Sequence, residues 1–412
     1  MIRIEADMLI PGKGEPIKNG CVLLSKDKIE YVGSIEGSPT NNVEKTLTVP
    51  VAMPGMWDCH AHFLGLKTAN LEELVRTHIS VLTARTVKDA ERALYAGFTS
   101  IREAGGYGIF LSRAINEGSI EGPNIYSPGA ILSQTGGHAD IHSISLDCLT
   151  NSFSGFPLEL CDGVPEVLKS VRKQLRLGAK VIKICASGGV LSEIDHPIHQ
   201  QFSDEEMRAI VDEAKRADRI VMAHCHGKPG IMAALRNDVH TIEHGSYIDD
   251  EIADIMVKKN AIVVPTRFII DQLLKFSQKS QIPDYALKKL QALSDIHFES
   301  SKTCIRKGVT IALGTDIINS GLETVVPWGS NGKELAYYIQ AGMSELQAIE
   351  TATYNGPLTL GPQAPKSGLL AKGYDADIIT VSKNPLDDIT VLGEPDNITS
   401  VIKGGKIVKE KK

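Results

Sequence analysis

The sequence lacks several features that would assign it to a particular functional class. Among its 412 residues no apolar run approaches the 18 or more residues of a membrane-spanning helix. No basic segment followed by an apolar stretch opens the chain, so we do not expect a signal peptide. The net charge is −6 and no long run carries one sign, which argues against nucleic-acid and membrane partners. We therefore expect a cytoplasmic protein whose partner is a small molecule.

Cysteine is scarce and irregularly spaced. The seven cysteines are an odd number and form no Cys-x-x-Cys pair. This pattern predicts free thiols rather than a disulfide framework. Cys59 and Cys225 stand next to histidines, so strand alternation predicts that they point to the opposite face and act as small apolar packing residues.

Short apolar runs alternate with amphipathic stretches through the middle of the chain. Several runs are apolar almost throughout, as expected for parallel strands buried on both faces. Stretches such as 204–217 and 284–307 predict helices, and Ser203 followed by Glu206 predicts a capping box at the first of them. Eight alternations predict an α/β fold, a (β/α)8 TIM barrel. The predicted strands are 53–63, 97–105, 123–129, 179–187, 219–227, 240–246, 261–268 and 309–316.

Both ends of the chain read as short strands broken by turns. Residues 1–53 and 360–412 are each too few to bury a core alone, and domain termini often lie close together. We therefore predict one small β-sandwich domain built from both ends, with 54–359 as the barrel domain. The segment 133–163 is rich in Gly, His, Ser and Asp with little periodicity. It predicts a functional loop over the barrel mouth, with a passive surface insertion as the alternative.

Metal-competent side chains stand where the predicted strands end. His60 and His62 form a His-x-His pair, which puts both imidazoles on one face of a strand, where they can bind one metal ion. A chance pair of hydrogen-bonded histidines is the alternative. In barrel enzymes the catalytic groups occupy these strand ends. The other titratable residues there are Lys183, His224, His226, His244 and Asp316.

Lys183 and Asp316 have the most specific chemistry of this set. Alternation puts Lys183 on the inward face with Val181 and Cys185, where burial favours a neutral amine that can form a bridging carbamate with carbon dioxide. The alternative is a lysine that reaches the barrel rim. Asp316 follows Gly314, which allows close backbone approach, and its carboxylate can contact a metal and exchange a proton with bound water. A turn or helix-cap aspartate is the alternative.

Together these motifs resemble the metal-dependent amidohydrolase superfamily. The resemblance rests on Pro-Gly-x-x-Asp-x-His-x-His, the lysine in Ile-Lys, the two single histidines and the final Gly-Thr-Asp, and it covers nearly the whole chain. Three further segments narrow it to the branch of Xaa-Pro dipeptidases, arginine-type zinc carboxypeptidases and ochratoxinase. They are Ser-Gln-Thr-Gly-Gly-His at 133–138, Ile-Lys-Ile-Cys-Ala-Ser-Gly-Gly-Val at 182–190 and Gly-Pro-Gln-Ala-Pro at 361–365.

The resemblance implies a site with two Zn²⁺ ions and a bridging hydroxide as the nucleophile. Asp316 would take the proton during attack and pass it to the leaving amine. Carbamylated Lys183 would bridge the two ions. The remaining implied ligands are His60, His62 and Asp316 on one zinc, and His224 and His244 on the other.

Three further residues are candidates for binding substrate. His138 and His226 match positions that, in this branch, bind the substrate carboxylate or assist its carbonyl. Arg267 follows the seventh predicted strand, and its planar guanidinium can pair with a carboxylate. An arginine that serves the barrel rim or a subunit contact is the alternative reading.

We predict an enzyme that cleaves the amide bond of N-acyl amino acids or dipeptides and releases an α-amino acid, with ochratoxin A as a candidate substrate. A cyclic-amide hydrolase or deaminase of the same superfamily is the first alternative, and Lys183 and the Gln-Thr-Gly-Gly-His loop count against it. A non-catalytic assembly protein on this fold is the second, and the complete set of expected ligands counts against that. The resemblance also implies a homo-oligomer.

Overall fold

Parallel strands that alternate with helices occupy the middle of the chain in the computed structural model, which describes residues 1–150 and 155–411. In chain order the strands are β1 Ile2–Leu9, β2 Ile17–Ser25, β3 Lys28–Ser34, β4 Lys45–Pro54, β5 Met56–Leu66, β6 Phe98–Glu103, β7 Asn124–Tyr126, β8 Ile131–Ser133, β9 Leu158–Leu160, β10 Ile182–Cys185, β11 Val221–Cys225, β12 Thr241–His244, β13 Ile262–Val264, β14 Thr310–Ile311, β15 Ile317–Asn319, β16 Ile378–Val381, β17 Ile398–Lys403 and β18 Lys406–Glu410.

Helices connect most of the parallel strands. They are α1 Glu73–Arg76, α2 Ile79–Tyr95, α3 Gly108–Asn116, α4 Leu146–Thr150, α5 Gly163–Leu177, α6 Asp204–Arg216, α7 Lys228–Arg236, α8 Asp250–Lys259, α9 Arg267–Lys275, α10 Ser277–Ser280, α11 Asp284–Lys307, α12 Glu334–Gln340, α13 Glu345–Thr351 and α14 Asn355–Leu358. Short 3₁₀ helices lie at Asn331–Lys333, Gly361–Gln363, Ile389–Gly393 and Pro395–Asn397. In the described part of the chain, none of the helices combines the length and apolar character needed to cross a membrane.

The middle of the chain forms two parallel sheets, so the predicted α/β class is confirmed. One sheet has the strand order β15-β5-β6-β7, and the other has the order β14-β13-β12-β11-β10-β8-β9. Each of the eight predicted strands overlaps an observed one, from β5 to β14. The prediction missed β8, β9 and β15, which are only three residues long each.

Backbone hydrogen bonds connect the two parallel sheets at both margins. On one side Cys59 N, in β5, donates to Leu313 O at 2.7 Å, just after β14. On the other side Lys180 N donates to Ser127 O at 2.9 Å, between the end of β7 and the start of β10. Gly129, with φ +77°, turns the chain between β7 and β8. The third predicted strand, 123–129, therefore contains only β7, and β8 follows after this turn.

Strands from both ends of the chain pair in one further sheet, with the order β18-β17-β16-β4-β1-β2-β3. Its strands share a buried cluster that includes Ile4, Val22, Ala52, Ile378 and Ile402. The two ends pair because neither could bury these side chains alone. β4 ends at Pro54 and β5 begins at Met56, while the domain boundaries themselves stay a prediction.

The predicted helices α6 and α11 are confirmed. Ser203 Oγ accepts a hydrogen bond from Glu206 N at 3.2 Å, and Glu206 Oε2 accepts one from Ser203 N at 2.7 Å, which is the predicted capping box. The predicted loop 133–163 includes α4 and β9, and its residues 151–154 lie outside the described residues. His138, Ala139 and Leu158 of this segment line the cavity of the candidate site.

Free thiols, as predicted, are Cys21, Cys59, Cys161, Cys185, Cys225 and Cys304. Cys225 faces α7, where its sulfur would lie 3.0 Å from a Cβ built on Gly230. Cys59 instead packs in an inner cluster with Val181 and Met222, so its predicted orientation is wrong. The pairing of β5 with β6 shifts register between Asp58 and Ala61, and simple alternation does not hold across such an irregularity.

Candidate active site

Two groups of metal-competent side chains meet at the ends of the parallel strands. In each group the potential ligand atoms lie within 4.8 Å of one another. The rings of His60 and His244, one from each group, have centroids 4.8 Å apart. The structure therefore brings together all five predicted ligands other than Lys183, and adds His226. The groups are His60, His62 and Asp316, and His224, His226 and His244.

Two of these residues occupy a backbone conformation that side-chain-bearing residues rarely adopt. His244 has φ +68° and Asp316 has φ +58°. A left-handed non-glycine residue costs on the order of 1–3 kcal/mol and persists where its surroundings hold it, which is common at functional sites. Asp316 N donates to His60 O at 2.6 Å. The backbone of His60 therefore stabilises the strained backbone conformation of Asp316.

Hydrogen bonds indicate which ring nitrogen of several histidines is available to a metal. The Nδ1 atoms of His60 and His62 lie 2.7 Å from Glu243 Oε2 and Gly105 O, two oxygens that only accept. These contacts assign the proton of both rings to Nδ1 and leave Nε2 as the ligand atom. The Nδ1 atom of His244 lies 2.7 Å from the Thr266 hydroxyl, which can donate or accept. His224 is reversed, because its Nε2 lies 3.2 Å from Gly188 O and its Nδ1 is left.

Burial keeps four of these imidazoles neutral. It lowers the pKa of His60 to about 4 and that of His226 to about 3, and it lowers the pKa values of His224 and His244 well below the ordinary value. Burial raises the pKa of the Asp316 carboxyl group, but the nearby imidazoles of His62 and His60 outweigh it and lower that pKa. Neutral imidazoles with an ionised carboxylate are the donor set that Zn²⁺ prefers.

Lys183 lies beside both groups and is 2 % exposed. Within residues 1–150 and 155–411 no carboxylate lies within 4.0 Å of its Nζ, and burial lowers the pKa of the amine. A buried ammonium without a counter-ion is costly, so the neutral amine is favoured. The Lys183 side chain therefore does not reach the barrel rim. Its environment favours the neutral amine, which is the form that can react with carbon dioxide to give a carbamate.

The sequence analysis missed a buried ion pair beneath the site. Arg102 of β6 and Glu243 of β12 are both fully buried, and Arg102 Nη2 donates to both carboxylate oxygens at 2.8 Å. Burial raises the pKa of Glu243, but Arg102 and His60 outweigh it and hold the pKa at about 2. Glu243 is thus the anion that orients His60. The available signal was a charged residue inside each of two otherwise buried strands.

The three candidate substrate residues have different positions. His138 lines the cavity and stacks on His224, with ring centroids 4.0 Å apart. His226 also lines the cavity, at a distance from His224 and His244 that suits a metal ligand as well as a substrate contact. Arg267 is not brought to the site. It begins α9, and its Nη1 donates to Ser294 O at 2.6 Å, which ties α9 to α11.

A cavity opens above the two groups. Its walls are mostly apolar, as is common for sites that bind small molecules. In the described part of the chain no arginine lines it, and Lys183 is its one lining lysine. The apolar lining residues are Leu64, Leu71, Ile131, Ala139, Leu158, Val190, Leu191, Ile269, Ile270, Leu273, Leu290, Leu293 and Ile318.

The backbone at Gly314 lies close to Val264 and His60, which is the close approach predicted from the sequence. A Cβ there would lie 2.3 Å from Val264 Cγ1 and 2.7 Å from His60 Cβ. We expect Gly314→Ala to displace His60, to lower the zinc content and to reduce the free energy of unfolding by about 1–3 kcal/mol. Zinc analysis and urea unfolding measure these effects. Gly37→Ala is the control, since its nearest atoms are the hydroxyls of Tyr31 and Ser34 at 3.2 and 3.3 Å. Equal zinc content in both variants would contradict the expectation.

A family model described as the amidohydrolase family matches residues 51–408. The chain belongs to the amidohydrolase family. This amidohydrolase is an enzyme that hydrolyses amide bonds. The alternative of a non-catalytic assembly protein is therefore discarded. The family resemblance read from the motifs is confirmed.

Individual relatives confirm the predicted branch as well. The amidohydrolase is 44 % identical to ochratoxinase of Aspergillus niger over 422 aligned residues, which cover 98 % of this chain and 86 % of that protein. The crystal structure of A. niger ochratoxinase is similar with a TM-score of 0.95 at 43 % identity, covering 100 % of this chain and 96 % of that chain. A prolidase complexed with N-methylphosphonate-L-proline has a TM-score of 0.91 at 30 % identity, with 100 % of both chains covered. A Xaa-Pro dipeptidase with bound methionine in the active site has a TM-score of 0.89 at 29 % identity, with 99 % of both covered.

Proposed function

We propose that this amidohydrolase uses two zinc ions to hydrolyse the amide bond of N-acyl amino acids or dipeptides whose released amino acid is apolar. The observation that carries the proposal is the pair of metal-competent groups at the floor of an apolar cavity. The similarity to ochratoxinase, a prolidase and a Xaa-Pro dipeptidase supports it. We include ochratoxin A among the candidate substrates because of the 44 % identity to ochratoxinase.

The residues of the site fit two cations. His60, His62 and Asp316 would hold one, and His224 and His244 the other, with carbamylated Lys183 between them. When bound, the two ions polarise the scissile carbonyl and lower the pKa of the water that attacks it.

The chain's own groups move the proton and orient the substrate. Asp316 is ionised, so its carboxylate accepts the proton of the attacking water and delivers it to the amide nitrogen, which must be protonated to leave. His138 and His226 line the cavity and supply the polar contacts to the substrate carboxylate and carbonyl. Burial keeps both imidazoles neutral in the free enzyme, lowering their pKa values to about 4 and about 3.

The apolar walls determine the preferred side chain. Leu71, Leu158, Leu290 and Leu293 offer no partner to a charged group, and burying an unpaired charge is costly. A basic or acidic side chain is therefore disfavoured, which distinguishes this enzyme from an arginine-type carboxypeptidase.

We also propose that the two parallel sheets form one closed eight-stranded barrel and that the sheet from both termini folds over its own core as a sandwich. The hydrogen bonds at both margins of the parallel sheets support the first. The common apolar cluster of the terminal strands supports the second.

A substrate screen tests the proposed function. We expect N-acyl-phenylalanine and N-acyl-leucine to be hydrolysed with a kcat/KM on the order of 10²-fold higher than N-acyl-arginine and N-acyl-aspartate. Release of the free amino acid is the measurement, and the same acyl group throughout is the control. Hydrolysis of cyclic amides alone, or release of ammonia from aminated rings, would favour the cyclic-amide hydrolase or deaminase instead.

A further inference from the structure

His138 reaches the cavity from the segment after β8, and its ring is fixed by its neighbours. One face stacks on His224 at a centroid distance of 4.0 Å. Gly189 lies so close that a Cβ there would come within 2.1 Å of the ring. The Nδ1 atom lies 2.9 Å from Ser192 Oγ. The position of the ring therefore depends on the loop that follows β10.

Ser192 determines which nitrogen of His138 carries the proton. The Ser192 hydroxyl donates to Oδ1 of Asp195, so only a lone pair of its oxygen is available to His138. His138 Nδ1 must then be the donor. In the described part of the chain no other hydrogen bond to the ring is found, which leaves Nε2 for a molecule in the cavity.

Asp195 connects the side chain of His138 with its backbone. The Oδ2 atom of Asp195 accepts hydrogen bonds from Gly189 N at 3.1 Å and from Gln201 Nε2 at 2.9 Å. Gln201 Oε1 in turn accepts one from His138 N at 3.0 Å. The side chain of Asp195 is 5 % exposed, and these contacts are partly buried. The Asp195 carboxylate is thus linked to the His138 ring through Ser192 and to the His138 backbone through Gln201.

Lys289 of α11 holds this loop in place. Its Nζ donates to three carbonyl oxygens, those of Gly189 at 3.2 Å, Ser192 at 2.7 Å and Asp195 at 2.6 Å. It also lies 3.4 Å from Asp195 Oδ1, and its side chain is 13 % exposed. The ammonium group occupies a cage of carbonyl oxygens and compensates the charge of the buried carboxylate.

We propose that Ser192, Asp195 and Lys289 are positioning residues that hold His138 in the substrate site of this enzyme. None of the three lines the cavity, so they act through the histidine. The kinetic part of this inference rests on the proposed function, whereas the structural part does not.

Kinetics of three variants test the proposal. Ser192→Ala removes the acceptor for His138 Nδ1, and Lys289→Met removes the charge but keeps the stem. For N-acyl-phenylalanine we expect each to raise KM by about tenfold, to change kcat by less than about twofold and to leave the zinc content unchanged. Ser192→Thr keeps the hydroxyl and is expected to keep KM within about twofold of wild type. The matched control is Tyr285→Phe, which loses a hydrogen bond to Leu191 O in the same loop and is expected to leave KM unchanged.

Crystal structures of the wild type and Ser192→Ala provide the second measurement. We expect the His138 ring to rotate away from His224 in the variant. An unmoved ring together with a wild-type KM would overturn the proposal, as would a rise in KM that Tyr285→Phe reproduces. If the wild type hydrolyses no N-acyl amino acid, the proposed function fails, and the ring position in the variant alone decides this proposal.

Discussion

Asp316→Asn is expected to lower kcat/KM for N-acyl amino acids by roughly 10²–10⁴-fold. The amide keeps the size of the side chain but cannot take the proton of the attacking water or return it to the leaving amine. The wild-type carboxylate lies 3.2 Å from His62 Nε2 and 3.5 Å from His60 Nε2, so its charge also contributes to the donor set. Initial rates of amino-acid release measure the effect.

Asp271→Asn is the control for this substitution. Asp271 lies on α9 and accepts a hydrogen bond from Tyr337 at 2.7 Å, outside the cavity lining. It should retain wild-type kinetics, because its carboxylate hydrogen-bonds to Tyr337 and does not line the cavity. If Asp316→Asn kept more than about a tenth of the wild-type kcat/KM, the assigned proton transfer would be wrong, since such a group contributes far more.

Arg102→Met is expected to reduce the free energy of unfolding by about 3–5 kcal/mol and to weaken zinc binding about 10–100-fold. The substitution leaves Glu243 as a buried anion without its partner, and both residues are fully buried. His60 then loses a well-placed acceptor for its Nδ1 proton. Urea unfolding and competitive zinc titration measure the two effects.

Two controls separate the charge from the packing. Arg172→Met removes an arginine whose side chain is 61 % exposed, and Glu213 keeps Arg216 as a partner, so the free energy of unfolding is expected to stay essentially unchanged. The double variant Arg102→Met with Glu243→Gln should be more stable than Arg102→Met alone, because neither residue of the pair then carries a charge. Equal destabilisation by the single and double variants would mean that lost packing, not the unpaired carboxylate, is responsible.

The sequence was sufficient for the local features of this protein. Short apolar runs predicted eight strands, and amphipathic stretches with a capping signal predicted the helices α6 and α11, because these patterns depend on neighbouring residues. Strand ends in parallel sheets meet at one edge, so His60, His224 and Asp316 were predicted together despite their distance in the chain.

Features that depend on tertiary geometry could not be predicted from the sequence. Arg102 and Glu243 come from strands that are not neighbours in the chain, and a charged residue within a buried strand does not reveal which residue it pairs with. The irregularity in β5 changed the direction of Cys59. Arg267 was a candidate for pairing with a substrate carboxylate, but the left-handed Thr266 before it turns the chain into α9, and the Arg267 guanidinium donates to Ser294 O instead.

Zinc analysis of the purified enzyme combined with chelation tests the central claim most directly. The account predicts about two zinc ions per chain, loss of amide hydrolysis when a chelator removes them, and recovery of both on adding zinc. Protein without bound metal whose hydrolytic activity is undiminished by chelators would contradict it.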